Sequence, residues 1–252
     1  MKEFYSTSEI AKIIGIHPNT VRFYEDLNLI TTPKRKSNGY RIFTKLHIDQ
    51  FKIARLAFQV EVLQNGLRAQ AVEIVKTCAA GDVDKSIELT LQYLDKIEDE
   101  RLKAEEAIVI VEKILSGEIN ENEKLCLTRK EAADYLNVTI DTLRNWELNG
   151  LLTAKRKQNG YRIYTDNDIN RLKVIYSLRC ANYSLSAILR MLGALSSSSE
   201  ADIKDIIDTP SEDDEIITAY DRLLTSLRYA SNNAKTIYKH LIKMKEEYYL
   251  TE

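Results

Sequence analysis

Three prolines, three cysteines and eight glycines in 252 residues leave few places where the chain must break or staple itself. The cysteines, Cys78, Cys126 and Cys180, are odd in number and far apart. No CxxC pair and no Cys/His cluster at metal spacing occurs, so a disulfide framework and a thiolate metal site are not expected. The three histidines, His17, His47 and His240, have no ligand partner nearby in sequence and read as surface or packing residues. No run of 18 apolar residues exists, which excludes a membrane-spanning helix as an expectation. The opening MKEFYSTSEIAK has no secretory core, and a reduced, cytoplasmic setting fits best. Paired catalytic carboxylates, a Ser/His/Asp set, a Walker-type loop and a GxGxxG turn are all missing, so no enzyme and no cofactor are expected.

What is present is helical composition, rich in Leu, Ile, Ala, Glu and Lys. The net charge of −2 conceals an alternation. Residues 1–56 carry +5, 57–124 carry −7, 125–195 carry +5 and 196–252 carry −5. Positive charge is therefore confined to two separated blocks, as expected if those blocks alone face an anionic polymer.

The two basic blocks are copies of each other. KRKSNGYRIFT at Lys34–Thr44 recurs as KRKQNGYRIYT at Lys155–Thr165, and VRFYE at Val21–Glu25 recurs as LRNWE at Leu143–Glu147. The offset falls from 122 to 121 between the two motifs, because one loop is a residue shorter. Each copy reads as short helix, turn, short helix, hairpin, longer helix. Ser6 offers a cap to a helix that ends at Gly15, and His17-Pro18-Asn19 opens a second helix. Two short helices joined by a tight turn form a helix-turn-helix. Asn137 stands in for Gly15 in the second copy and also suits a helix end. Ser37-Asn38-Gly39 and Gln158-Asn159-Gly160 are strong hairpin signals. Thr44 and Thr165 cap further helices, expected over 48–63 and 169–181, and short helices follow over 67–78 and 184–195.

A long helix follows each head. One is expected over 84–115, with Ile87, Leu91, Leu94, Leu102, Ile108, Val111 and Leu115 on one side. The other is expected over 215–248, with Ile217, Tyr220, Leu224, Leu227, Ala234, Tyr238, Leu241 and Tyr248 at 3/4 spacing, which implies a partner helix. The domains expected are a first head over 1–80, a long helix and linker over 81–124, a second head over 125–195, an acidic linker over 196–214 and a C-terminal helix over 215–252. Tyr93, Tyr220, Tyr229, Tyr238, Tyr248 and Tyr249 are either core residues or the lining of an effector pocket.

These motifs, in this order, resemble the MerR family of bacterial transcription regulators. The blocks that carry the resemblance are TVRFYE with NGYRI in the first copy, and TLRNWELNGLL, NGYRIYTDNDI and YSLSAILRML in the second. It covers roughly 5–58 and 127–195. The resemblance implies a mainly α fold with two winged helix-turn-helix heads, each followed by a short helix and a long coiled-coil-type helix. It implies sequence-specific binding of double-stranded DNA, regulation of transcription by distorting a promoter, and RNA polymerase as a further partner. By the same resemblance His17, Asn19, Thr20, Arg22 and Phe23, with Thr139, Asp141, Thr142, Arg144 and Asn145, lie on recognition helices. Tyr40, Arg41, Tyr161 and Arg162 are wing residues, while Tyr24 and Trp146 pack inward. From position in the hairpin, Lys34, Lys36, Lys155 and Lys157 are phosphate contacts. Arg22 and Arg144 either grip DNA or pair with Glu25 and Glu147; Asn19 and Asp141 either read bases or cap their helices. An architectural, excisionase-like DNA-bending protein is the alternative function. An internal pseudo-dimer is expected to join the long helices, with a homodimer as the rival.

Overall fold

The computed structural model describes residues 3–59, 66–118, 126–156, 160–197, 202–209 and 222–249. The fold is mainly α: eleven helices and two small sheets among the described residues. It divides into two compact units, one of residues 1–99 with 226–252 and the other of residues 100–225.

In the first unit, α1 (Thr7–Ile14) and α2 (Pro18–Asp26) form the helix-turn-helix. A capping box fixes the start of α1: the Ser6 backbone N–H donates to Glu9 Oε2 at 2.8 Å, and the Glu9 N–H donates back to Ser6 Oγ. Gly15 ends it at φ +73°, and the Ile16 N–H then reaches the Ala11 carbonyl. In the second unit the matching position is Asn137 at φ +52°, a left-handed conformation that asparagine tolerates better than most residues. Strands β1 (Lys34–Arg35) and β2 (Arg41–Ile42) make the wing hairpin. Helix α3 (Lys45–Phe58) follows it, then α4 (Leu67–Ala79) and α5 (Val83–Ser116).

The core of this unit is aromatic at its centre. Phe51 is fully buried, stacked on Tyr24 at 5.3 Å between ring centroids and 6.5 Å from Phe43. Gln50 ties three elements together: its Oε1 accepts from the Thr31 N–H at 2.9 Å, and its Nε2 donates to the Cys78 carbonyl at 3.2 Å. His47 completes the capping box of α3 by accepting the Thr44 N–H at Nδ1. Burial lowers the His47 pKa below its ordinary 6.5. The unfolded chain therefore takes up the proton first, and the stability this group contributes above about pH 6.5 is lost as the pH falls. His47→Gln keeps an acceptor at the capping position and removes the titration. Its unfolding free energy should vary less between pH 7 and 5 than the parent's; equal curves by denaturant titration would exclude His47 as a source.

Helix α11 (Leu223–Tyr248) closes this unit although it follows the second head in sequence. Its Tyr248 hydroxyl donates to Asp49 Oδ2 at 2.8 Å, Asn233 Nδ2 donates to the Leu56 carbonyl at 3.2 Å, and Glu247 pairs with Lys45. Lys245, near the end of α11, pairs at 2.5 Å with Asp84 at the start of α5, so the two run antiparallel here. Buried Leu227, Ala230, Ala234, Ile237, Leu241 and Met244 make the α11 seam. Tyr238 is only half-buried and Tyr229 lies exposed, while Ile217 and Tyr220 fall outside the described residues.

In the second unit, β3 (Cys126–Thr128) precedes α6 (Arg129–Tyr135) and α7 (Ile140–Leu148). Strands β4 (Lys155–Arg156) and β5 (Arg162–Thr165) form the wing, followed by α8 (Asp166–Cys180) and α9 (Leu185–Ser197). The sheet order is β3-β5-β4. Strand β3 was not expected; in the first head its place is taken by a single bridge between Tyr5 and Phe43. The span read as an acidic linker contains α10 (Ile203–Asp208), capped by Asp202 and burying Ile203 and Ile207. Arg190 secures its far end, donating to the Ile206 and Ile207 carbonyls at 3.1 Å.

The apolar side of α5 differs from the expected stripe. Leu91, Leu102 and Leu115 are exposed, whereas Leu89, Tyr93, Ile97, Ala104, Ile108, Val111 and Ile114 are buried. The buried seam is shifted because it also takes small and polar residues, Ser86, Thr90 and Ala107, at 3/4 spacing. The first half of α5 belongs to the first unit and the second half to the second. In the second half, the Ala104 carbonyl accepts from the buried Tyr183 hydroxyl at 3.3 Å.

Candidate nucleic-acid interface

The second helix of each head is anchored from behind and exposed in front. Tyr24 and Val21 are buried on α2, as are Trp146 and Leu143 on α7. His17, Asn19, Arg22 and Phe23 are exposed on α2, with Thr20 half-buried; Thr139, Asp141, Arg144 and Asn145 are exposed on α7, with Thr142 half-buried. The caps differ from one of the two readings open for Asn19 and Asp141. His17 Nδ1 caps α2 by accepting the Asn19 N–H at 3.2 Å, and Thr139 Oγ1 caps α7 by accepting the Thr142 N–H at 3.0 Å. Asn19 and Asp141 are instead the second residues of their helices, free of the cap role.

Arg22 is oriented by Asn19, whose Oδ1 accepts from its Nη1 at 2.8 Å. It does not pair with Glu25. Among the described residues the Arg144 side chain makes no hydrogen bond or ion pair, although Asp141 occupies the position matching Asn19.

Each wing is tied to its helix through a buried glutamate. Glu25 pairs with Arg41 from β2 and, at 3.3 Å, with Arg35 from β1. Glu147 pairs with Arg162 Nε at 2.7 Å and Arg129 Nη2 at 2.6 Å, and accepts the Tyr164 hydroxyl. Burial, and next the Glu147 hydrogen bond, raise the Tyr164 pKa, which keeps the phenol a neutral donor. The hydrogen bond that Arg129 Nε donates to the Tyr164 oxygen in turn raises the pKa of that guanidinium. Arg41 and Arg162, expected as wing residues, are half-buried and join each wing to the second helix of its head. From the sequence these glutamates read only as partners of Arg22 and Arg144, not as residues that tie down the wings. Their signal was the shared Glu at the end of VRFYE and LRNWE, a carboxylate that repeats where the surrounding charge is basic.

Lys34, Lys36 and Lys155 are exposed on the hairpins and unpaired among the described residues. Lys157 lies outside the described residues, as do Gln158 and Asn159 of the turn. Tyr40 and Tyr161 stand out from the wings at 72% and 71% exposure. In the first head a groove of about 820 Å³ brings together Arg22, Lys36, Tyr40 and the residues Ser6, Thr7 and Ser8 that open α1. In the second a groove of about 540 Å³ runs along Thr139, Asp141, Thr142 and Asn145 to Arg179. A helix start, a basic wing and a guanidinium around one groove suit a phosphodiester.

Comparison with known sequences agrees with this geometry. Residues 6–43 match the MerR family regulatory protein pattern and residues 127–195 the MerR HTH family regulatory protein pattern. The two helix-turn-helix regions are thus of the MerR type. The chain is 43% identical to the HTH-type transcriptional regulator CueR of Escherichia coli O157:H7 over 53 residues, 21% of this chain and 39% of that relative. It is 26% identical to the HTH-type transcriptional regulator YyaN of Bacillus subtilis over 114 residues, 41% of this chain and 83% of the relative. To the transcriptional repressor CarH of Myxococcus xanthus it is 34% identical over 73 residues, 29% of this chain and 24% of the relative. The CueR match thus spans about two fifths of that relative's length. No solved structure matches the chain.

The described tyrosines among those read as core or pocket lining differ in burial. Tyr93 is buried, Tyr229 and Tyr249 are exposed and Tyr248 is held by Asp49. Cys78 is buried, which pushes its thiol up to about 12, while Cys126 and Cys180 are exposed. No helix among the described residues is long and apolar enough to cross a membrane.

Proposed function

We propose that this chain is a sequence-specific DNA-binding transcription regulator that sets two unequal heads on adjacent half-sites of one duplex. The observation that carries this reading is the duplication of exposed recognition helix and basic wing with different reading residues: His17 against Thr139, Asn19 against Asp141, Phe23 against Asn145. Asparagine can pair with adenine through both its amide groups, whereas aspartate only accepts, for example from cytosine. A homodimer with identical heads favours a palindrome; unequal heads on one chain do not. The names of the relatives, transcriptional regulators and a repressor, support the same class of activity. Distortion of promoter DNA in the presence of RNA polymerase belongs to this proposal. Bending a site of 20–30 base pairs costs about 1–6 kcal/mol, which several phosphate contacts offset.

The chain is also proposed to act as an internal pseudo-dimer. The long helix after each head contributes to the unit that holds the other head, as α11 does with α3 and α5 does with Tyr183. Selection of binding sites from random duplexes, followed by the mass of the complex on the winning site, tests both parts. An asymmetric site bound by one chain is expected. A perfect inverted repeat bound by two chains would defeat the proposal. A site that is bent without any effect on transcription from a neighbouring promoter would favour the architectural alternative.

A further inference from the structure

Arg35 and Arg156 hold the same place in the two wings, the second residue of β1 and of β4. Their surroundings differ. Arg35 Nη2 lies 3.3 Å from Glu25 Oε1. Arg156 is exposed and its side chain makes no hydrogen bond or ion pair among the described residues.

The cause is a change of donors around the buried glutamate. A carboxylate offers about four acceptor sites. In the second head Glu147 takes Arg129, Arg162 and the Tyr164 hydroxyl, the first two at 2.6 and 2.7 Å. In the first head the positions of Arg129 and Tyr164 hold Thr7 and Phe43. Phe43 has no donor and Thr7 is too short to replace an arginine, so Glu25 is left with Arg41 and draws in Arg35. Two substitutions remote from the wing surface therefore set the state of a wing arginine.

We infer that Arg156 is a phosphate-binding residue particular to the second head, and that its twin Arg35 is withheld from DNA by Glu25. This rests on the DNA-binding reading above. A free guanidinium on a hairpin beside Lys155 is available to a phosphodiester oxygen, with bidentate geometry. Arg35 must leave a carboxylate first, and its ion pair offsets whatever a phosphate would return. The wing of the second head is thus held to the backbone by one more contact than the wing of the first.

The test uses the full chain and the duplex obtained by selection, with affinity measured across a salt series for the parent, Arg35→Ala, Arg156→Ala and Arg156→Lys. Neutralising one phosphate corresponds to a slope of about 0.9 in log affinity against log salt. Arg156→Ala is expected to flatten the slope by about that amount, Arg156→Lys to restore it, and Arg35→Ala to change it by less than half as much. Thr7→Arg with Phe43→Tyr should free Arg35, so that adding Arg35→Ala to that background then flattens the slope as Arg156→Ala does in the parent. Equal slopes for Arg35→Ala and Arg156→Ala, or no change with Arg156→Ala while binding persists, would overturn the inference and leave the DNA reading standing. A parent chain that binds no duplex would remove both.

Discussion

Phe51→Ala should destabilise the first unit by about 3–5 kcal/mol, the cost of an emptied aromatic site in a packed core. The ring is fully buried and lies between Tyr24 of α2 and Phe43 beside the wing, so its loss frees the backs of both reading elements together. Binding should weaken most at the half-site read by the first head. The single tryptophan, Trp146, sits in the second unit and reports on that unit separately. In denaturant titrations the helical circular-dichroism signal should therefore acquire an early phase, while tryptophan fluorescence shifts less. A change under about 1 kcal/mol in the early phase would mean that the aromatic cluster contributes far less than its burial implies.

Glu147→Ala is expected to cost the second unit about 3 kcal/mol. Removing the shared partner leaves Arg129 and Arg162 largely buried with no opposing charge, at 21% and 32% side-chain exposure, and the Tyr164 hydroxyl without its acceptor. The loss lies at the low end of the range for broken buried pairs because both guanidiniums can partly turn to water. For a unit of this size that corresponds to a fall in Tm on the order of 10 °C, read by Trp146 fluorescence. Glu147→Gln, which retains acceptor capacity, should fall between the parent and the alanine variant. If alanine and parent melt together, wing and recognition helix are not fastened through this residue, and the placement of Arg162 needs another explanation.

Much of the two heads was legible in the sequence, and the reason is that their signals are local. The capping boxes at Ser6–Glu9 and Thr128–Glu131, Pro18 in the first turn of α2, and the left-handed positions at Gly15 and Asn137 each act within about one turn of chain. The Asn38-Gly39 turn pairs strands only two residues long, which needs no distant information. Helix α10 was missed because its three isoleucines stand in a Ser- and acid-rich stretch, and only packing on α9 with the Arg190 contacts gives them a side to bury. The expected stripe on α5 was displaced because the largest apolar residues were chosen, whereas the actual seam admits Ser86, Thr90 and Ala107.

The interface divides along the same line. By itself the sequence determined that there are two heads, that their second helices and hairpins present basic, aromatic and polar side chains, and that the two differ at His17/Thr139, Asn19/Asp141 and Phe23/Asn145; repetition and short-range chemistry suffice for that. Only the tertiary structure decided which arginines are available. Glu25 meets Arg35 and Arg41 from 10 and 16 residues away, and Glu147 meets Arg129 and Arg162 from 18 and 15. A charge pattern cannot distinguish a cation that faces solvent from one spent on a buried carboxylate, because that depends on which strand the fold brings over which helix. The partner of α11 was equally unreadable. A 3/4 apolar seam states that a helix must be covered, and only the packing of Tyr248 on Asp49 and Lys245 on Asp84 shows that α3 and α5 of the first unit do the covering.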